Sequence, residues 1–575
     1  MKSLICIFVL FSSLLQSYQD CLSRSSFNSG VCIIVASSKT VKCWGTNYYG
    51  QLGLEDELNR GDDPNEMSDY LPDVSLNGTN VISIHVGGEH SCAKLLPDLD
   101  VQCWGRNHFG QLGYGDKTNR GNATFEMGSY LPFVNFGPEV IAAEIYIGGY
   151  HNMVLSDIGE VKVWGYGQFG QLGYGDTSNK GDSPNQLGSY LPYVNVGTGS
   201  SVQKIIATSY SSCALLDDLS MKCWGQNNVG QLGLGDIIPR GDSSNQLGDY
   251  LPPINFPSGI VIDSFGSGHH HVGIITNFGY LYTWGWNTNG QLGVGHTNNV
   301  GNLTNEMGEY LKKVNLGFGK KVVQMNAATF HTCVILDTYE MKCFGLNAQG
   351  QLGYEDTVQR GDEIFEMGLY LPTINLGTGK TASFLHLGFK HSCVVLNDDS
   401  IKCWGQNDQG QLGQGNVITL GDTGNELGNY LDPVDFGVGL TAANCFDYSP
   451  TLFPSLSLSP SFDPTFVPTS YSHPSFCSSR LSIRIHVCVL TSPTNQVKCF
   501  GANDDGNLGY GDISYRGDGI NEMGNNLSYV ELSESVLSIH VGADLSCALL
   551  TSLSIKCWGK NTNGEVFFIT FFFLI

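Results

Sequence analysis

Paired cysteines are the residues with the clearest chemistry in this 575-residue sequence, which contains 18 cysteines. Most of them recur in pairs whose members lie ten or eleven residues apart. Two such residues on strands joined by a hairpin face each other at a separation that suits a disulfide bond. Zinc would need four clustered ligands, with Cys-x-x-Cys arms that this chain lacks, and free core thiols are the third alternative. The predicted disulfide pairs are Cys32 and Cys43, Cys92 and Cys103, Cys213 and Cys223, Cys333 and Cys343, Cys393 and Cys403, Cys488 and Cys499, and Cys547 and Cys557.

At two places in this series both cysteines of a pair are replaced together. Met153 and Val163 stand at one place, and Gly273 and Thr283 stand at the other. Joint loss favours a bond between the two positions, because neither cysteine is kept without its partner. Since disulfides persist in oxidising compartments, the pattern predicts a secreted or extracellular protein.

Acidic loops are the second group of residues that could do chemistry. The pattern Asp-x-x-x-x-Gly-Asp-x-x-x-Glu gathers carboxylates that could hold calcium. Asx-type hydrogen bonds to the backbone are the competing explanation, because His296 and Asn302 replace aspartates in one copy of the loop. The metal assignment therefore stays open. Two copies of the full pattern are Asp356, Asp362 and Glu366, and Asp512, Asp518 and Glu522.

Other motifs point to structure more than to catalysis. Arg-Gly-Asp occurs at Arg60, Arg240, Arg360 and Arg516 and suggests cell adhesion, but Val300-Gly301-Asn302 at the same position indicates a variable loop. A histidine recurs two residues before the first cysteine of a pair, where a structural role is expected. The chain has no Gly-x-Ser-x-Gly elbow, phosphate-binding loop or His-Glu-x-x-His segment, so we expect no enzyme and no cofactor. The recurrent histidines are His90, His331, His391 and His486.

An internal repeat of 60 residues must position all these groups. An aromatic residue followed by glycine marks each copy and indicates one shared packing role. The spacing is constant over the first seven copies, and a longer gap precedes the last two. The predicted structural anchors are Trp44, Trp104, Trp164, Trp224, Trp284, Phe344, Trp404, Phe500 and Trp558.

Within a repeat the pattern predicts only β-strands. Residues 81–86 alternate, residues 90–95 and 99–104 read as the next two strands, and Gly110-Gln111-Leu112-Gly113 reads as a turn. Three or four short strands per repeat, arranged around a ring, make a β-propeller. We therefore expect an all-β propeller of about 60-residue repeats, seven-bladed with extra partial repeats.

The motif Gly-x-x-His-Ser-Cys followed by Trp-Gly-x-Asn-x-x-Gly-Gln-Leu-Gly, found at 88–113 and 388–413, resembles the repeat of the regulator of chromosome condensation family. The resemblance implies a seven-bladed propeller, in a superfamily that also contains a secreted bacterial beta-lactamase-inhibitor protein. The repeat here is longer, through the insertion from Arg-Gly-Asp to Leu-Pro, and no basic N-terminal tail is present. These departures argue against guanine-nucleotide exchange and nucleosome binding.

Composition excludes several classes of partner. The net charge is −24 with only 29 Lys+Arg, so no nucleic acid is expected as a partner. Hydrophobic residues make up 41% of the chain, which excludes wholesale disorder. An apolar run at 4–15 after Lys2 reads as part of a secretory signal peptide at 1–17 and is too short to span a bilayer, so no membrane span is expected after its removal.

The predicted organisation has four segments. After the signal peptide, the seven-repeat propeller is expected at 22–445, followed by a Ser/Pro-rich segment at 446–480 that is either a linker or an artefact of the gene model. Two further repeats follow at 481–575, the last of them truncated where an apolar tail begins at 566.

The function predicted from the sequence is that of a secreted, disulfide-braced, non-enzymatic scaffold for an unknown protein or glycan ligand. Long loops held by the blades would form its binding face. The alternatives are a regulator of nucleotide exchange or chromatin, by analogy of fold, and an uncharacterised secreted hydrolase or lyase. Four sequons fit a glycoprotein: Asn77, Asn122, Asn302 and Asn526.

Overall fold

The computed structural model describes residues 30–442, except 79 and 139, together with shorter stretches at 486–491, 496–501, 508, 510, 528–532, 536–541, 545–550 and 555–559. Contacts divide the chain into a larger part, Val9–Ser455, and a smaller part that contains Leu456–Ile575. The predicted signal peptide at 1–17, the segment at 446–480, the apolar tail, Asn526 and the acidic loop of Asp512 lie outside the described residues.

Short strands make up the larger part, and its described residues contain no α-helix. None of the helices in the described stretches has the length and apolar character needed to cross a membrane. The strands are β1 (Gly30–Ile34), β2 (Val41–Gly45), β3 (Asn80–Val86), β4 (His90–Leu96), β5 (Asp100–Gly105), β6 (Ala142–Ile147), β7 (His151–Ser156), β8 (Val161–Gly165), β9 (Val202–Ala207), β10 (Ser211–Leu216), β11 (Met221–Gly225), β12 (Ile262–Ser267), β13 (His271–Thr276), β14 (Leu281–Gly285), β15 (Val322–Ala327), β16 (His331–Leu336), β17 (Met341–Gly345), β18 (Ala382–Leu387), β19 (His391–Leu396) and β20 (Ile401–Gly405). The 3-10 turns are Ser68–Tyr70, Gly188–Tyr190, Gly248–Tyr250, Gly308–Tyr310 and Gly428–Tyr430.

These strands form seven antiparallel sheets in the described residues of the larger part, one for each of the first seven repeats. Sheet 1 is the pair β1-β2, and the others have three strands in chain order: β3-β4-β5, β6-β7-β8, β9-β10-β11, β12-β13-β14, β15-β16-β17 and β18-β19-β20. The predicted all-β class is therefore confirmed. In each repeat the last strand carries the aromatic anchor and ends at a glycine with positive φ, such as Gly105.

The insertion that lengthens each repeat is a loop along the outer edge of its sheet. In the second repeat Arg120 and Gly105 exchange backbone hydrogen bonds, and Val134 N–H donates to the oxygen of Val101 at 2.8 Å. The chain thus pairs with both ends of β5, and residues 121–133 form the loop between these two contacts. The insertion is accommodated without any change in the strand order.

Indole groups connect successive sheets. In the second to fifth and the seventh repeats, the Nε1–H group of the anchor tryptophan donates to the backbone oxygen of a glutamine in the preceding repeat, at 3.0 to 3.2 Å. Trp44 of the first repeat makes the same bond to Gln411 of the seventh, at 3.2 Å. The apolar cluster around it also combines Val31 and Ile33 with Phe384 and Val395 of the seventh sheet. The contact that joins neighbours therefore also joins the seventh sheet to the first.

The smaller part repeats the same local structure. Its described strands are β21 (His486–Thr491), β22 (Gln496–Gly501), β23 (Val536–Val541), β24 (Leu545–Leu550) and β25 (Ile555–Gly559), ordered β21-β22 and β23-β24-β25. Tyr510 Oη donates to the oxygen of Cys499 at 3.0 Å, just as Tyr114 Oη donates to the oxygen of Cys103 at 2.8 Å. The local fold of the repeat therefore recurs in this part.

Candidate ligand-binding face

Two variable positions of each repeat from the second to the seventh meet at one end of its sheet. The first precedes the histidine or serine that begins the middle strand, and the second follows the glycine that ends the last strand. A backbone hydrogen bond holds them together: Tyr166 N–H donates to Tyr150 at 3.0 Å, and Trp286 N–H donates to His270 at 2.9 Å. The variable side chains are thus held on a common backbone geometry.

A buried network of recurrent polar side chains fixes this backbone. His151 Nε2 lies 2.9 Å from Ser212 Oγ of the next repeat, and that hydroxyl donates to the backbone oxygen of Gln171 at 2.8 Å. Trp224 Nε1–H donates to the same oxygen at 3.0 Å. Because the serine proton goes to Gln171, its oxygen accepts from a proton on His151 Nε2. Burial lowers the pKa of His151 to about 3, so this imidazole is neutral at physiological pH.

Aromatic rings at several of these variable positions, together with Phe109 and Phe389 close to them in sequence, contact one another from the second repeat to the seventh. We call this series the aromatic belt. Its members are Phe109, Tyr150, Tyr210, His270, Trp286, Phe330 and Phe389. The successive ring-centroid distances are 6.0, 5.7, 5.8, 6.1, 5.5 and 5.2 Å, and the two pairs that contain Tyr210 are stacked. All seven rings are partly exposed. One end of the sheets therefore presents a continuous, half-buried aromatic surface.

Cationic groups flank the belt at its two ends. The Arg106 guanidinium lies 4.9 Å from the Tyr49 ring and 5.5 Å from the Phe109 ring, and it is ion-paired with Glu89. Lys390 Nζ lies 5.5 Å from the centre of the Phe389 ring. The first repeat is thus connected to the belt through a cation–π contact.

The centre of the belt is uncharged at neutral pH. Burial, and next the charge of Tyr150, raises the pKa of Tyr210 to about 12. Burial lowers the pKa of His269 to about 4 and that of His270 to about 3. Half-buried, neutral aromatic rings with hydroxyl and imidazole edges suit the flat apolar faces of a ligand and also offer hydrogen bonds at their rims. The belt therefore offers uncharged ring faces together with polar edge atoms.

The cysteines lie in the interior of the sheets. Sγ atoms are bonded in the five predicted pairs of the first, second, fourth, sixth and seventh repeats, whose Cα atoms lie 4.0 to 4.2 Å apart. Met153 pairs with Val163 in the same register of the third repeat, and both are buried. In the smaller part the register pairs Cys488 with Cys499, which is disulfide-bonded, and Cys547 with Cys557. Disulfide bonds thus link the middle and last strands of most sheets.

In the acidic loop that suggested calcium, the carboxylates accept hydrogen bonds from backbone N–H groups. Glu366 Oε2 accepts hydrogen bonds from the N–H groups of Gly361, Asp362 and Glu363 at 2.9 to 3.2 Å. Asp356 accepts from Val358 N–H and pairs with Arg360 at 2.8 Å. Among the described residues, no group of three His, Cys, Asp or Glu side chains is arranged to hold a metal ion. These carboxylates order the loop.

The Arg-Gly-Asp tripeptide that begins at Arg360 lies in this same acidic loop. The side chain of Arg360 is 17% exposed because it pairs with Asp356. A Cβ atom on Gly361 would lie 2.6 Å from the oxygen of Gly290 in the preceding repeat. The tripeptide therefore belongs to the contact between repeats, and its arginine and glycine are not displayed to a receptor.

The remaining predicted residues fall into two groups. The seven anchors of the larger part are fully buried between sheets, whereas Trp558 of the smaller part is partly exposed and Phe500 is described only as part of β22. Asn77 is exposed, Asn122 Nδ2 donates to Glu57 at 3.1 Å, and Asn302 is partly buried. Glycosylation of these sequons stays a prediction.

Sequence reasoning missed the belt. Tyr150, Tyr210 and Phe330 occupy one repeat position, but Glu89 and Lys390 occupy it in other repeats, so no recurring letter marks it. The available signal was a position of variable type, rich in aromatic residues, directly before the recurrent histidine. Comparison of the seven repeats position by position would have shown it.

Family models and known relatives agree with this architecture. Models of the regulator of chromosome condensation (RCC1) repeat match residues 41–93 and 279–335, and a second model of this repeat matches 142–171 and 387–411. The ultraviolet-B receptor UVR8 of Arabidopsis thaliana is 29% identical over 349 residues, which cover 60% of this chain and 70% of that protein. The probable E3 ubiquitin-protein ligase HERC6 of Homo sapiens is 28% identical, and the match covers 54% of this chain but only 28% of that ligase.

Solved structures show the same fold. The crystal structure of Prp20p from Saccharomyces cerevisiae covers 73% of this chain, and the match covers 89% of that chain, with a TM-score of 0.53 and 17% identity. At this identity the likeness concerns the fold alone, and it confirms the predicted β-propeller. Together, the family matches and the sheets of the larger part show that this chain contains repeats of the regulator of chromosome condensation type.

Proposed function

We propose that this chain is a secreted, non-enzymatic scaffold whose seven sheets form a closed ring and bind a protein or glycan through the aromatic belt. The observation that carries the proposal is the continuous contact of seven partly exposed rings at one end of the sheets. A buried network fixes the backbone beneath them, and only the side chains on that backbone vary between repeats. Variable side chains on a rigid frame are typical of recognition surfaces.

The chemistry of the belt supports a ligand with flat, uncharged faces. Neutral Tyr150, Tyr210 and His270 offer ring faces for stacking and polar atoms at their edges. Tyrosine and tryptophan bring large contact areas with few rotatable bonds, so little entropy is lost when a partner docks. The C–H faces of sugar rings and the side chains of a protein both meet these requirements.

The disulfides support export. Five bonded pairs in the larger part would form and persist in an oxidising compartment, but cytosolic glutathione would keep such thiols reduced. Peptide mapping of the natural protein without reduction tests this part of the proposal. Recovery from the culture medium with the predicted pairs intact would support it. Recovery from nuclei with free thiols would refute it and favour the regulator of nucleotide exchange or chromatin.

A binding screen tests the face itself. The full chain, produced with its disulfides, is applied to arrays of glycans and of extracellular proteins, and hits are measured by biolayer interferometry. Replacement of Tyr210 and Trp286 by alanine should weaken a genuine hit by about tenfold or more, because these rings lie at the centre of the belt.

Tyr250 supplies the matched control. It belongs to the same repeat as Tyr210, but it is 71% exposed and lies in the outer loop. Tyr250→Ala should leave the affinity unchanged. Equal losses for both variants, or turnover of the glycan or peptide in place of binding, would contradict the proposal.

A further inference from the structure

The fifth repeat contains a cluster of lysines, although the whole chain has a large negative net charge. Lys312, Lys313, Lys320 and Lys321 lie within ten residues of a protein that has 53 Asp+Glu and 29 Lys+Arg. The positions that correspond to Lys312 and Lys313 hold at least one proline and no lysine in every other repeat of the larger part. The lysine run is therefore specific to this repeat.

These lysines lie at the end of the sheet that is opposite to the aromatic belt. Val314 N–H donates to the oxygen of Leu281 at 2.8 Å, at the start of β14. The belt residue Trp286 follows Gly285, at the other end of the same strand. The lysine run thus marks a surface separate from the belt.

Aromatic side chains of the β13–β14 turn pack against the lysines. Lys313 Nζ lies 4.3 Å from the centre of the Tyr280 ring, and Phe278 lies 6.4 Å from Tyr280 between ring centroids. A Cβ atom on Gly279 would lie 2.7 Å from Lys321 Cβ, so that lysine rests directly on the turn. The lysines and the aromatic rings form one surface.

The connection to the sixth repeat extends this surface with exposed apolar side chains. Phe318 is 98% exposed and Leu369 is 85% exposed. Gly317, which precedes Phe318, lies beside Leu369, because a Cβ atom on Gly317 would lie 3.8 Å from Leu369 Cδ2. At the equivalent junction of the third and fourth repeats, Thr198 N–H instead donates to Asp249 at 2.7 Å. The fifth-to-sixth junction thus presents two exposed apolar side chains where the third-to-fourth junction has a hydrogen bond.

We define the basic–aromatic patch as Phe278, Tyr280, Lys313, Phe318, Lys321 and Leu369. Its two phenylalanines, its tyrosine and its leucine expose on the order of 500 Å², since a large side chain presents about 150 to 250 Å². An apolar patch of that size is at the upper end for a monomer and marks an interaction surface.

We propose that this patch binds an acidic, amphipathic segment of a partner protein. Lys313 and Lys321 take part in none of the ion pairs among the described residues, so their charges are available. Three carboxylates near the patch are already bonded: Glu340 pairs with Lys320 at 2.5 Å, Glu309 accepts from Ser258 N–H at 2.7 Å, and Asp337 accepts from Lys321 N–H at 3.3 Å. Apolar anchors would insert beside Phe318, and acidic side chains would meet the lysines.

A single peptide segment suits the basic–aromatic patch better than an anionic membrane does. The turns of other repeats at the same end of the sheets carry acids, among them Asp98, Asp218 and Asp398. A flat anionic surface would approach these carboxylates within a Debye length of about 8 Å and be repelled. A single peptide segment can contact the fifth repeat without meeting them.

Selection from a phage-displayed library of random dodecapeptides tests the proposal, with the full-length, disulfide-intact protein as target. Enriched peptides should combine Asp or Glu with aromatic or aliphatic residues. Their affinity, measured by fluorescence anisotropy, should fall about tenfold or more in the variant Phe318→Ser with Lys321→Glu. Circular dichroism establishes that the variant is folded.

The third-to-fourth junction supplies a matched control, because Thr198 and Ser201 occupy the positions of Phe318 and Lys321 in that repeat. The control variant, Thr198→Ser with Ser201→Glu, therefore introduces the same two residue types outside the patch. This control should bind the selected peptides as the unmodified protein does. Selection of basic or uncharged peptides, or an equal loss in both variants, would overturn the proposal. So would patch-dependent sedimentation with vesicles of phosphatidylcholine containing a quarter phosphatidylserine, if no acidic peptide is enriched.

Discussion

Removal of one buried histidine should change how the stability of this protein depends on pH. His151 is fully buried, its Nε2 lies 2.9 Å from Ser212 Oγ, and burial lowers its pKa to about 3. In the unfolded chain a histidine titrates near 6.5. The neutral imidazole therefore stabilises the folded state fully above pH 6.5, and this contribution is lost as the pH falls towards 3.

The magnitude follows from the difference in bound protons. At pH 5 the unfolded state carries almost one more proton at this site than the folded state, so the free energy of unfolding falls by about 1.3 kcal/mol per pH unit through His151 alone. Between pH 7.5 and pH 5 the loss is about 2 kcal/mol. His90, His271 and His331 have pKa values lowered to about 4, 3 and 3 by burial, and each adds a similar amount.

The assay is urea unfolding of the disulfide-intact protein, followed by tryptophan fluorescence between pH 4.5 and pH 7.5. His151→Gln lowers the stability at neutral pH, but its slope against pH near 5 should be shallower than that of the unmodified protein by about 1.3 kcal/mol per pH unit. The slope isolates the titration from any loss of packing.

His296→Asn is the control, because His296 is exposed and Asn416 occupies the same position in the seventh repeat. His296 lies outside the buried network, so this variant should show the same dependence of stability on pH as the unmodified protein. An unchanged slope in His151→Gln would refute the reasoning, since it would mean that His151 binds the same number of protons folded and unfolded.

Three further substitutions test the construction of the repeats, each by urea unfolding. Gly110→Ala should lower the free energy of unfolding by about 3 kcal/mol or more, because its Cβ would lie 2.2 Å from a backbone nitrogen of the next repeat. Gly199→Ala has open space around it and should lower that free energy by only about 1 kcal/mol, for its positive φ, so equal losses would contradict the packing argument. Cys213→Met with Cys223→Val copies the third repeat, and it should lower the free energy of unfolding by less than the roughly 2 to 3 kcal/mol expected for alanine at both positions. A larger loss would show that the pair of residues cannot be exchanged between repeats. Trp224→Phe removes an indole donor from a site that phenylalanine fills in the sixth repeat, so it should cost about 1 to 2 kcal/mol, and no loss would mean that the hydrogen bond is energetically neutral.

Much of the fold could be predicted because its determinants are local. Cys92 and Cys103 face each other across one hairpin, so their spacing alone indicates their register. Gly105, with a φ of 102°, ends the last strand in a conformation that glycine adopts without strain. The period of 60 residues then repeats this local solution along the chain.

Neighbouring repeats determine what the histidines and the acidic loops do, and the sequence pattern left this open. His331 is buried because its Nε2 reaches Ser392 Oγ, 61 residues later. His151 and His271 occupy the same position as His90, although the pairing with cysteine that identified His90 is absent from their repeats. Only the placement of one sheet against the next reveals their common role.

The binding surfaces depend on tertiary structure for the same reason. Tyr150 and Tyr210 lie 60 residues apart and stack only because successive sheets stand side by side, and Gly317 approaches Leu369 only at the junction of two repeats. The sequence by itself determined the strands, the cysteine register and the family, since these arise from contacts within one repeat. The tertiary structure decided the belt and the basic–aromatic patch, because a surface shared by several repeats has no signature in any one of them.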